Sequence, residues 1–198
     1  MLIAALFLKK TTINQVIRIY REFLRRFPTP HALLSASEED VKKIIEPLGL
    51  HHQRSKHLIE LARVLVDKFS GEVPCDKEKL RELPGVGEYI ISEVLLRACR
   101  KPEPLLDRNM IRVVERIFGI KSAKKRPHTD PAMWSFARTI VPKDPDLAEK
   151  FNFGILDFAR KICRARDPRC GICFMKDLCS YYAKSARGGQ ASTSPSLH

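Results

Sequence analysis

Apolar residues recur along this chain at three- and four-residue steps. Val16, Ile19, Tyr20, Phe23, Leu24 and Phe27 form one such series, and Leu58, Leu61, Ala62, Leu65, Val66 and Phe69 form another. That spacing places one apolar stripe on each of two amphipathic helices. Between them, Ser37 and Asp40 make a capping box ahead of Val41 to Leu48, and Gly49 is a helix stop. The same reading predicts helices over 76–82, 88–99, 108–118, 131–141 and 145–162. The apolar start from Leu2 to Leu8 reads as part of a buried helix, because it meets Lys9 and Lys10 too soon to span a membrane and lacks a basic leader. No stretch alternates as a strand would, so the expected fold class is all-α.

Charge narrows the partner. Lys and Arg number 36 against 23 Asp and Glu, a net charge of +13, with a pI near 9.7. Such a balance favours a polyanion, nucleic acid ahead of an anionic membrane, over an acidic small molecule. The basic connection at Lys124, Lys125 and Arg126 could touch nucleic acid or simply be solvated.

Of the six cysteines, Cys163, Cys170, Cys173 and Cys179 crowd one short segment, whereas Cys75 and Cys99 stand apart in helical surroundings. A secreted disulfide scaffold would spread its cysteines more evenly, so the expected compartment is reducing and intracellular, cytoplasm or nucleoid. The spacing Cys-x6-Cys-x2-Cys-x5-Cys, in a segment with Pro168 and Gly171, describes one metal centre. Four thiolates suit either zinc or an iron–sulfur cube. Zinc modules commonly pair their ligands in two short units, and here only Cys170 and Cys173 make one.

A second cluster of signals lies upstream. Leu83-Pro84-Gly85-Val86-Gly87 separates a charged helix from an apolar one. Its glycines allow close backbone approach, so N–H groups at a helix N-terminus can face a phosphate. A ligand-free tight turn would use the same residues. Downstream, Asp107 is placed to cap the helix beginning at Arg108.

Leu83 to Tyr89, followed by Leu106-Asp107-Arg108-Asn109 and then by the four-cysteine segment, resembles the endonuclease III and MutY superfamily of helix-hairpin-helix DNA glycosylases. The likeness runs from about Leu2 to Cys179 and includes Arg21 to Pro28 and Gly49 to Lys56. It implies a two-lobed fold. A helical barrel lobe at 1–103 carries the hairpin, a lobe at 104–183 carries Asp107 and the cysteines, and a disordered polar tail fills 184–198. It implies a 4Fe–4S cluster on Cys163, Cys170, Cys173 and Cys179, with an architectural role that sets Arg164, Arg166 and Arg169 against phosphates. It also implies double-stranded DNA with a mismatched or damaged base as partner, no membrane, and a monomer.

The resemblance assigns roles. Asp107 would stabilise the positive charge that develops on deoxyribose as the base leaves. Gly85, Val86 and Gly87 would hold the backbone, Lys9 and Lys10 would fill the vacated space, and Leu50 with His51 would wedge the opposite strand. Lyase relatives carry a lysine where this chain has Tyr89, and tyrosine cannot form a Schiff base, so the expected enzyme is monofunctional. Tyrosine there is similar to Mig-type glycosylases that remove thymine or uracil opposite guanine. MutY-type adenine removal is the alternative. One departure stands out: Ala5 occupies the place of a glutamate that engages the flipped base, which leaves open a catalytically impaired, mismatch-binding variant.

Overall fold

The computed structural model describes residues 1–9 and 11–189. Among them every regular element is a helix, and none is long and apolar enough to cross a membrane. The chain divides into two compact units, Met1–Lys101 and Pro102–His198.

In the first unit, helices α1 (Leu2–Phe7), α2 (Ile13–Arg26), α3 (Pro30–Leu34), α4 (Glu38–Ile45) and α5 (His51–Phe69) precede α6 (Lys77–Arg81) and α7 (Glu88–Arg97). Local chemistry sets their ends. The Gln15 side chain accepts from the Thr12 N–H at the start of α2, and the Ser37 hydroxyl accepts from the Asp40 N–H at 3.1 Å, as the capping box predicts. Asp76 lies outside α6 as its cap, accepting from the Glu78 and Lys79 N–H groups. The α2 stripe of Val16, Ile19 and Phe23 packs with Phe7, Val41, Ile45 and Leu58 in one core. A second core joins Leu2 and Ala5 of α1 to Leu61 and Leu65 of α5 and to Ile90, Ile91 and Val94 of α7. Burial of each such aliphatic side chain stabilises the unit by about 1.5–3 kcal/mol.

The two isolated cysteines correct the sequence reading. Cys75, before α6, and Cys99, after α7, form a disulfide with Cα atoms 5.5 Å apart. The helix pair α6–α7 folds back on itself, so residues 24 positions apart in sequence meet at its open end.

The second unit contains α8 (Arg108–Phe118), α9 (Pro131–Ile140), α10 (Pro145–Lys161) and α11 (Ser180–Gly189). Aspartate caps recur, at Asp107, Asp130 and Asp144, the last two with proline at the first helical position. Leu106, Met110, Ile111 and Val114 pack against Met133, Trp134 and Ala137. Beneath them the buried Asn152 accepts from the Leu105 N–H and donates to the Glu103 and Ala148 carbonyls, which fixes the chain leading into Asp107. Helix α11 reaches further than a tail beginning at 184 would allow. Tyr181 lies against the Arg116 guanidinium, and the Ser185 hydroxyl donates back to the Tyr181 carbonyl. Residues 190–198 lie outside the described residues.

Candidate functional site

In the first unit the hairpin follows from three local bonds. The Leu83 N–H donates to Leu80 O, the Val86 N–H to Leu83 O, and the Ile91 N–H to Gly87 O. Gly85 has φ +75°, and a Cβ there would meet Leu6 Cδ2 only at 3.8 Å. Backbone conformation rather than space therefore calls for glycine. Val86 points its side chain into the core with Leu83, and its N–H is engaged within the turn. Gly87 caps α7, whose first N–H groups and dipole form an anion-attracting end.

Lys9 meets this hairpin directly: its Nζ donates to the Gly85 carbonyl at 2.6 Å. Burial first, then the neighbouring Arg54 charge, holds the ammonium below its ordinary pKa. Lys10 lies outside the described residues. Leu50 stands 56% exposed in a left-handed conformation, φ 54°, immediately after Gly49 at φ 71°. Such a backbone is costly for a leucine and holds the side chain outward at the start of α5. The His51 and His52 rings lie 4.3 Å apart. Lys9, Leu50 and Gly85 border one cavity of about 470 Å³, with Gln53, His57 and Pro84 in its wall.

Tyr89 occupies the first turn of α7 and is 36% exposed. Its neighbour Glu88 receives Arg81 at 2.8 Å and Lys77 at 3.5 Å. Burial opposes its ionisation, but these two cations hold its pKa below the usual range. Four residues after Tyr89, and so on the same helical face, is Glu93, which sequence reading passes over. Burial raises its pKa, against the opposing pull of Arg97 at 3.5 Å and of the Met1 amine. Ala5 is buried in the core of this unit.

The second unit fixes Asp107 in detail. Oδ1 accepts from the Asn109 and Met110 N–H groups, both at 2.8 Å, and Oδ2 accepts from the Asn109 side-chain amide at 2.7 Å. Asn109 is itself held, since its Oδ1 accepts from Arg112 Nη2 at 3.1 Å. Arg112 continues the line by donating from Nε to the Cys163 carbonyl at 3.0 Å and from Nη2 to the Ala159 carbonyl at 3.0 Å. The carboxylate therefore has a set orientation, and its support ends on the backbone of the first cysteine.

All four thiols line a single small cavity together with Arg116, Ile117 and Phe158. Cys163 is buried, and the other three are half-buried. The Cys170 thiol is pushed up by burial and then by the charges of Cys179, Cys173 and Cys163, with Arg116 opposing. Four thiolates so close need a cationic group among them. Arg116 binds the loop from outside, donating to the Arg164 and Ala165 carbonyls, with Nη1 3.6 Å from Cys163 Sγ. Of the loop arginines, Arg164 turns inward to the Asp167 carbonyl, while Arg166 and Arg169 stay exposed.

Comparison with known proteins agrees with this picture. Residues 3–139 match the HhH-GPD superfamily of base excision DNA repair proteins, and residues 163–179 match the iron–sulfur binding domain of endonuclease III. A thymine-DNA glycosylase from Aeropyrum pernix is 65% identical over 91% of this chain and 81% of its own length. A thymine/uracil-DNA glycosylase from Pyrobaculum aerophilum is 59% identical over 94% of this chain and 81% of its own. Among solved structures, a thermostable thymine-DNA glycosylase superposes with a TM-score of 0.84 at 36% identity, covering 92% of this chain and 83% of that one. The cysteine segment is thus an iron–sulfur site, and the sequence reading of its metal holds.

Proposed function

We propose that this chain, which belongs to the HhH-GPD superfamily of base excision DNA repair proteins, is a monofunctional DNA glycosylase that hydrolyses the N-glycosidic bond of thymine or uracil mispaired with guanine. The observation that carries this reading is the Asp107 carboxylate. Three hydrogen bonds from Asn109 and Met110 orient it. An oriented anion stabilises the positive charge that appears at C1′ as the C1′–N bond breaks and its electron pair leaves on the base. Water adds to C1′, and its proton passes by way of the carboxylate to solvent. With Tyr89 in the first turn of α7, that helix start has no amine to compete with water.

Duplex DNA is the partner this reading requires, met by a monomer. A target base must leave the stack at a cost of a few kcal/mol, least at a mismatch. Gly85 and Gly87 take the phosphate backbone. Lys9 fills the gap, and Leu50, exposed beside His51, is the wedge. Tyr89 lines the base pocket.

Cys163, Cys170, Cys173 and Cys179 would hold a 4Fe–4S cluster. When bound, it neutralises the thiolates and rigidifies the loop that supports Arg112, with no part in bond breaking. A single-turnover panel of G·T, G·U and A·G duplexes tests the assignment. Excision of thymine and uracil with A·G left intact is expected. Adenine release would move the chain to the MutY-type reaction, and tight mismatch binding without abasic product would make it a binding protein.

A further inference from the structure

Arg54, near the start of α5, joins several segments of the first unit. It has five N–H donors, and each finds an oxygen. Nε donates to Gly49 O at 3.1 Å, Nη1 to Leu6 O at 3.1 Å and Phe7 O at 3.4 Å, and Nη2 to Lys9 O at 2.6 Å and Thr11 Oγ1 at 2.8 Å. These acceptors come from the C-terminal end of α1, from the segment after it, and from the turn that sets Leu50. Thr11 adds a bond of its own to the Leu48 carbonyl at 3.4 Å. Because Lys9 Nζ in turn binds the Gly85 carbonyl, one guanidinium ties together all three segments that border the cavity.

The acceptors are backbone carbonyls and a hydroxyl, with no carboxylate among them. Two adjacent cations, Arg54 and Lys9, therefore keep their positive charge beside the exposed Leu50. Burial lowers the pKa of Arg54, yet a guanidinium remains charged. A fold needing only a staple could have used a neutral donor. Retained charge at the rim of a cavity suits a polyanion.

We infer that Arg54 is a positioning residue for base extrusion, holding Lys9, Thr11 and the Leu50 turn at fixed separation so that Lys9 and Leu50 enter the duplex together. The inference rests on the glycosylase reading and adds to it the device that sets the two probes. A planar fork with five donors is what the geometry uses, and lysine, with three donors on a point charge, cannot reproduce it.

The test compares wild type, Arg54→Lys and Thr11→Val. The first variant keeps the charge and loses the fork; the second removes one acceptor and leaves Arg54 in place. Each is assayed for single-turnover uracil release from a G·U duplex, for release from the same uracil in an unpaired bubble, for duplex affinity, and for the fluorescence rise of 2-aminopurine beside the target. Arg54→Lys should slow duplex excision by about 10- to 100-fold, the scale of a small misplacement of a binding element. Affinity should change little, the fluorescence rise should be lost, and bubble excision should stay near wild type. Thr11→Val should show a smaller defect with the same pattern. Equal losses on duplex and bubble, or a wild-type fluorescence rise in Arg54→Lys, would overturn the inference and leave Arg54 a fold staple. Absence of excision and of fluorescence change in the wild type would remove the glycosylase reading itself, and this inference with it.

Discussion

In Met1–Lys101, the groups proposed to meet DNA are set by backbone: a glycine at φ +75°, a leucine at φ 54°, and two cations bonded to carbonyl oxygens. In Pro102–His198, the proposed catalytic carboxylate is set by the Asn109 and Met110 N–H groups together with a side-chain line from Asp107 through Asn109 and Arg112 to the carbonyl of Cys163. The first arrangement fixes shape and leaves charge available for a phosphate backbone. The second fixes one anion and makes its orientation depend on a metal-bearing loop. Damage to the first unit should therefore appear as lost recognition, and damage to the second as lost chemistry.

The sharpest way to break that contrast is Asp107→Asn. Asparagine still caps α8, so folding should persist, but the negative charge is gone, and single-turnover excision should fall by about 10³-fold with duplex affinity retained. Loss of affinity to the same degree would mean that Asp107 belongs to binding. Next in size is the disulfide. Replacing Cys75 and Cys99 by serine should cost the first unit about 3 kcal/mol, from the loop the bond closes. The visible absorbance of the cluster in the other unit should not move, a result thermal melting and spectroscopy can check together. Arg112→Gln is a third test. It cuts the support between Asn109 and Cys163, and should slow excision by roughly 10- to 100-fold while the cluster remains bound, as outer-shell changes commonly do. The smallest effect belongs to Leu50→Ala, expected to lower preference for G·U over A·U by several-fold and to leave release from an unpaired bubble unchanged.

Motifs with local spacing are legible in the amino-acid sequence itself. The hairpin glycines, Asp107 as a helix cap and the cysteine run each lie within a few residues of one another along the chain, and turn geometry, capping or ligand spacing dictates them. Most helices are legible for the same reason, with ends shifted by a residue or two where Asp76 proves to be a cap, whereas the short α3 and the terminal α11 carry no long apolar period and escape the reading. Bonds across long separations are not. Arg54 reaches Lys9 over 45 residues, Arg112 reaches Cys163 over 51, and Cys75 joins Cys99 over 24. Each depends on how helices pack, and the cysteine pair in particular is concealed by an uneven distribution that points to a reducing compartment. Glu93 leaves no signal either, since a glutamate four residues before an arginine reads as an ordinary surface pair until α7 is seen to be buried on most sides.

Water as the nucleophile is the central claim, and borohydride trapping tests it most directly. Incubation of the intact, cluster-loaded protein with a G·U duplex should yield alkali-labile abasic sites, and a parallel incubation with sodium borohydride present should give no protein covalently joined to DNA. A trapped protein–DNA adduct that disappeared when a lysine of this chain was replaced would contradict it.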